Sequence, residues 1–338
     1  MRWRPPQKWL YASQALDHRW LLPFMARLPL RWAYTLARWR GRLNARWSRD
    51  WTELSVGFPY IGERCARAYR EIFPNASERE INRIVRERYE TVSTEDMEGW
   101  LTIRGRIAEI PMALEPIRQA MAQREAGRGL VVVMSHLDNL FYGLAGIARC
   151  GYPVHLMTSA VVQDERVHPA LRYFFQQKYA AYNRAMGGGA LLHSGAEAKQ
   201  IFHEVLRQGG IVAVVSETPA NPESDKGTWV QWMGQRRKMA DGALRMALDT
   251  NSQLIAMQNW RNDVNAVEWA WSALVDPKQY QETQDAPARE AMYALLFTFL
   301  GNGIRARPGR WWAAHLLGDF QTAPMPSQAT VLATGSAP

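Results

Sequence analysis

From Gly129 onward the sequence is punctuated by short apolar runs, Leu130 to Met134 and Ile211 to Val215, each entered from Gly and left through polar residues. Five apolar residues in a row are too few for a helix and too uniform for a strand with one wet face. Each run therefore reads as a strand covered on both sides. Helical patterns over Ala196 to Arg207 and Ala240 to Leu248 separate such runs, and Leu254 to Gln258 reads as a further strand. Buried strands alternating with helices specify an α/β protein with a central mixed or parallel sheet flanked by helices. Upstream, Pro74 to Val92 reads as a helix start and helix. Ser77 can cap it, Glu80 stands three residues later, and Ile81, Ile84, Val85 and Tyr89 recur at helical spacing.

The chain has 338 residues, 47% hydrophobic and 22% charged, enough for one large domain or two small ones. That composition excludes collagen, simple disorder and a disulfide scaffold. The two cysteines, Cys65 and Cys150, lie far apart without a C-x-x-C or His partner pattern, which points to a reducing compartment and no structural zinc. The longest apolar stretch, Ala291 to Ile304, is closed by Arg305 and falls short of the ~18 to 20 residues that a spanning helix needs. Arg27 and Arg31 interrupt Trp20 to Tyr34, so no secretory signal is expected there.

The formal net charge of +9 is confined to one end. Residues 1–50 hold ten Arg and one Lys against only Asp17 and Asp50, so the rest of the chain is neutral. Six of the fifteen Trp fall in the same fifty residues. From Trp20 to Trp47, apolar residues mix three- and four-residue spacings with arginines, a basic amphipathic pattern broken once at Pro29 and Leu30. Trp favours the headgroup level of a bilayer and each Arg adds ~1 kcal/mol of attraction to an anionic surface, so peripheral docking on an anionic membrane is expected. The alternative is a helix that packs Trp and Leu onto the body and leaves its Arg solvated; one helix can do both. No nucleic acid partner is expected, because no RNP, helix-turn-helix or zinc pattern accompanies the charge. The resulting division is an arm over residues 1–50 expected to associate with a membrane, an α/β body over 51–320, and a tail over 321–338 rich in Ala, Pro, Ser and Thr and expected to be disordered.

In α/β sheets chemistry gathers at the carboxyl ends of strands. The first run is followed by Ser135-His136-Leu137-Asp138-Asn139 and the second by Ser216-Glu217-Thr218-Pro219. His136 is the leading candidate. Asp138 either caps the next helix or orients His136, and Asn139 can also cap. His155, His168, His193 and His203 lack a metal-like partner three or four residues away, so neither metal nor other cofactor is implied. Gly187 to Gly189 after Arg184 reads as a turn with room for a phosphate or glycan, and Arg261 and Arg305 could bind anionic groups.

Taken together, these segments resemble the lipid A late acyltransferases, the lauroyl and myristoyl transferase branch of the lysophospholipid acyltransferase superfamily. The similarity is diffuse but runs from about Leu28 to His315. Ile72-Phe73-Pro74 with Ser77-Glu78-Arg79-Glu80 is similar to an early family segment. Ser135-His136-Leu137-Asp138-Asn139 falls where the family has Gly-His-Phe-Gly-Asn-Trp-Glu. Arg184-x-x-x-Gly188 resembles its arginine and glycine segment, and Gly210 to Glu217 its strand ending in Asp-Gln. Thr228 to Gly234 and Ile304-Arg305-x-x-Pro308-x-x-Trp311-x-x-x-His315 resemble its later pieces.

The resemblance implies an α/β acyltransferase on the cytoplasmic face of the bacterial inner membrane. It would move an acyl group from an acyl carrier protein or CoA thioester to a hydroxyl, or amine, of a glycolipid or other membrane-associated acceptor. The family's working pair is a His and an acid five residues later, but five residues after His136 stands Phe141. The orienting carboxylate is then Asp138, or Glu217 reaching across, or none, with His136 working alone or the chain being an inactive lipid- or carrier-binding relative. The expected assignment has His136 as base and Asp138 as orienting acid, with Asn139, Arg184, Glu217 and Arg261 binding substrate.

Overall fold

The computed structural model describes residues 5–56, 60–158, 162–220, 226–280 and 286–323. The amino-terminal helices come first: α1 (Gln7–Leu16), a π-helical turn over Asp17–Leu21, α2 (Leu22–Met25) and α3 (Leu30–Trp47). The break before α3 falls at Pro29, whose ring cannot sit inside a helix and instead caps the next one. Next come α4 (Ile61–Ile72) and α5 (Glu78–Ile103), the latter opened by a capping box between Ser77 and Glu80. At 26 residues α5 is about 39 Å long. The α/β body follows: α6 (Glu115–Ala122), β1 (Leu130–Met134), α7 (Leu140–Arg149), β2 (Val154–Thr158), α8 (Pro169–Ala185), β3 (Leu191–His193), α9 (Ala196–Arg207), β4 (Ile211–Val215), β5 (Thr228–Trp232), β6 (Gln235–Met239), α10 (Gly242–Thr250), β7 (Gln253–Arg261), β8 (Val267–Trp271), α11 (Ala286–Ala306) and β9 (Thr322–Ala323).

Six strands form one sheet in the order β3-β2-β4-β1-β7-β8, parallel except for β8 at the edge. β4 returns to lie between β1 and β2, and its register with β1 runs from Leu130↔Ile211 to Met134↔Val215. A small antiparallel sheet, β5-β6-β9, stands beside it. Thr322 and Ala323, the first part of the expected tail, pair with β6; residues 324–338 lie outside the described residues.

The main sheet is buried on both faces, as its uniform apolar runs require. Val131 and Val133 point into one core, shared with α4, α9, α10 and α11. Leu130, Val132 and Met134 point into the other, shared with α7 and the inner face of the amino-terminal helices at Leu22, Met25, Ala33, Tyr34 and Ala37. The basic arm is thus part of the fold along one side. Two of its arginines are internal: Arg40 and Arg49 are buried and both grip Asp17. Burial pushes the Asp17 carboxyl up, but the two guanidiniums outweigh it and hold the group at about 2.

Candidate functional site

The first turns beyond β1 and β4 meet at the carboxyl edge of the sheet. Because Met134 pairs with Val215, extending both strands by two residues sets His136 beside Glu217. His136 Nδ1 lies 2.8 Å from Glu217 Oε1, and the His136 backbone N–H donates to the same oxygen. Glu217 Oε2 accepts from the indole N–H of Trp311 at 2.7 Å. Both Glu217 and Trp311 are buried, whereas the His136 side chain keeps 29% of its exposure. Trp312 covers one side of the imidazole at 4.9 Å between ring centroids. Its backbone N–H donates to the His136 carbonyl, while Leu137 bridges to Trp311.

This arrangement fixes the tautomer. A carboxylate can only accept, so Nδ1 carries the proton and Nε2 presents its lone pair toward the open side. Imidazole held this way takes a proton at Nε2, and the carboxylate stabilises the imidazolium that forms.

Of the two carboxylates weighed for this role, Glu217 meets the ring and Asp138 does not. Asp138 sits at φ +55°, in the left-handed region, with its side chain turned inward. It makes an ion pair with Arg261 and another with Arg310 at 2.7 Å, and accepts from the backbone N–H groups of Asn139 at 2.9 Å and Arg261 at 3.1 Å. Burial pushes its carboxyl up, but the two guanidiniums hold it below the usual carboxylate range. All its lone pairs are engaged away from the imidazole, and that is why it cannot orient His136.

The residues expected to bind substrate separate in the same way. Asn139 is buried, caps α7 by accepting from the Phe141 N–H at 3.1 Å, and donates to Glu98 Oε2 at 2.9 Å. Arg261 is internal as well, braced between Asp138 and Glu98 Oε1, the latter at 2.7 Å. Arg184 is exposed near the end of α8, where the Met186 carbonyl accepts from Val154 at the start of β2. That is the amino edge of the sheet, level with Leu130 and so about 20 Å along the strands from His136. Arg305 is exposed on α11. Phe141, five residues after His136, stacks on Tyr182 at 4.6 Å with Lys178 Nζ 4.6 Å from its ring centroid.

Two participants, Glu98 and Arg310, had no sequence signal, and a third, Trp311, had only its place in a family-like segment. Glu98, in the middle of α5, is fully buried and accepts from Tyr34, Asn139 and Arg261. Burial and the nearby Asp138 carboxylate push its own carboxyl up, with Arg261 opposing. Arg310 and Trp311 belong to the loop that closes over His136. The same α5 holds that loop, through Thr91 to the Gly309 carbonyl at 3.1 Å and Arg88 to the Trp312 carbonyl at 3.2 Å. Among the described residues no cluster of His, Cys, Asp and Glu could hold a metal ion.

Comparison with known families matches residues 64–317, about three quarters of the chain, to the family described as bacterial lipid A biosynthesis acyltransferase. No curated protein matches the chain by sequence.

Proposed function

The chain belongs to the bacterial lipid A biosynthesis acyltransferase family, and from that premise we propose that it moves an acyl group from a carrier-protein or CoA thioester to a hydroxyl of a membrane glycolipid. An amine acceptor would use the same site. The observation that carries this reading is the His136 Nδ1 to Glu217 Oε1 contact of 2.8 Å, backed by Trp311.

His136 Nε2 removes the proton of the acceptor hydroxyl as its oxygen attacks the thioester carbonyl. A C–O bond forms, the carbonyl π electrons move onto oxygen, and the imidazolium is held by Glu217. The tetrahedral intermediate collapses by breaking the C–S bond. The leaving thiolate recovers the proton from Nε2, returning neutral imidazole, a free thiol and the acylated acceptor. A carboxylate within reach of His136, and a Phe141 ring committed to Tyr182, both favour an enzyme over a relative that merely holds lipid.

We further assign the amino-terminal helices to peripheral attachment on the cytoplasmic face of the inner membrane. Trp9, Leu16, Trp20, Phe24 and Trp39 are exposed on α1 to α3, an apolar surface unusual for a soluble face and rimmed by Arg. Among the described residues no helix is long and apolar enough to cross a membrane.

The test is to incubate the protein with acyl-loaded carrier proteins, acyl-CoA and extracted membrane lipids, and to weigh the products. His136→Ala should form none while keeping its fold and its binding to vesicles. Product formation at the wild-type rate in that variant would overturn the assignment of the base.

A further inference from the structure

Beside the His136 loop lies a polar cleft of about 300 Å³ whose walls come from four separate parts of the chain. Arg38 enters it from α3, Arg261 from the end of β7 and Arg310 from the loop after α11, with Glu87 and Glu90 of α5 opposite. Asp138 ties the cleft to the site. Its backbone N–H donates to the Arg310 carbonyl at 2.8 Å, and its carboxylate binds the Arg310 guanidinium. Asp138 is only two residues from His136, a span of at most about 7 Å.

The charges around the cleft do not cancel. Glu87 pairs with Arg83 at 2.5 Å and Glu90 with Arg42 at 2.9 Å, so neither lining carboxylate is committed to the three lining arginines. Arg261 is matched by Glu98 and Asp138, and Arg310 shares that same Asp138. Arg38 donates to the neutral amide oxygen of Asn265, and among the described residues no carboxylate lies within ion-pair distance of it. Half-buried, its guanidinium is pushed down first by desolvation and then by Arg261 and Arg310, with Glu90 opposing only in part. Guanidiniums gathered this way, two of them reachable from solvent, suit a planar or tetrahedral oxyanion that can be gripped by paired N–H donors.

We propose that Arg38 and Arg310 form an anion subsite of the acyl-transfer centre, which takes a phosphate ester carried by one of the two substrates. Its part in acyl transfer rests on the reading of His136 as the base; the anion site itself does not. The cleft is roomier than one phosphate group, so the ester enters with part of the molecule that bears it. Two sources share this chemistry, the phosphate linking a pantetheine thioester to its carrier and a phosphate on a glycolipid acceptor. Arg38 lies outside the family-matched residues 64–317, so the basic arm contributes a wall of the site as well as a membrane contact.

Two measurements separate the anion site from the activity. Inorganic phosphate should raise the melting temperature of the wild type beyond chloride at equal ionic strength, and should still do so in His136→Ala. In Arg38→Gln that increment should vanish, and Arg38→Lys should recover part of it. Transfer is then measured with acyl-phosphopantetheine against acyl-pantetheine, and with untreated against phosphatase-treated lipid. Arg38→Gln should raise KM about tenfold for the phosphorylated member of one pair, leaving its unphosphorylated partner and kcat unchanged; the affected pair identifies the source. Phosphate that stabilises wild type and Arg38→Gln equally, or no more than chloride does, overturns the proposal. An equal loss on both members of both pairs, in a variant that melts with the wild type, overturns it too.

Discussion

Glu217 receives three N–H groups, from the His136 ring, the His136 backbone and the Trp311 indole. A carboxylate satisfies all three, whereas an amide has one accepting end and one donating end. Glu217→Gln must therefore turn an N–H toward Trp311 or toward His136, where it forces the other imidazole tautomer. The expected result is a fall in kcat of about 10² to 10⁴ with little change in melting temperature. Asp138→Asn should show the reverse. It leaves Arg261 and Arg310 without their shared carboxylate and costs about 3 kcal/mol of stability, while kcat in the surviving folded protein changes far less. Steady-state kinetics and thermal melts on the two variants decide the matter; a large kcat loss confined to Asp138→Asn would reverse the roles of the two acids. The pairing of His136 with Glu217 was partly legible. Gly129 to His136 and Gly210 to Glu217 are spelled alike, a Gly, five apolar residues, a Ser and then a titratable residue. What the sequence could not show is that β4 lies next to β1 and in that register, because strand order is decided by packing between distant segments. Asp138, nearer to His136 in sequence, was the natural first choice. Its left-handed backbone, which turns the side chain inward, leaves no trace in composition.

α3 presents three faces to three environments. Ala33, Tyr34, Ala37, Gly41 and Asn44 face the protein, Leu36 and Trp39 remain exposed beside the groove against α1, and Arg38, Arg42 and Arg46 form a stripe four residues apart toward α5. The close crossing with α5 depends on Gly41, where an added Cβ would stand 2.4 Å from the Glu90 Cα. Gly41→Val should push α3 off α5 and destabilise the protein by about 2 kcal/mol. Because Arg38 lies on the same helix, the variant should also lose the phosphate-dependent rise in melting temperature; a wild-type melt with the rise intact would show that the crossing does not position Arg38. The helical periodicity of this segment, its break at Pro29 and the capping box of α5 were all readable, since each is local chemistry. Which arginines are buried was not. Arg40 and Arg42 are two residues apart in one basic run, yet Arg40 is locked to Asp17 and Asp96 inside the protein while Arg42 is exposed. Both meet distant carboxylates, and what distinguishes them is that Arg40 shares the buried face of α3 with Ala33, Ala37 and Asn44.

Over the whole molecule, the charge and the exposed aromatics are concentrated in the same helices that help to build the core. Trp9, Trp20 and Trp39 are 68%, 70% and 63% exposed, and α1 and α3 enclose a largely apolar groove of about 460 Å³. Replacing these three tryptophans by Ser should weaken binding to anionic vesicles by about 2 kcal/mol or more, roughly thirtyfold, without altering the melting temperature. Vesicle co-sedimentation would detect that loss, and undiminished binding would remove the tryptophans from the membrane contact. The loop that carries Arg310, Trp311 and Trp312 lies far along the chain from His136, yet it supplies the indole behind Glu217 and the ring beside the imidazole. During synthesis, His136 and Glu217 therefore emerge before the loop that flanks them. On the proposed mechanism, a chain cut short before Pro308 would carry the base and its carboxylate without the indole behind Glu217 or the ring beside the imidazole, and should transfer no acyl group.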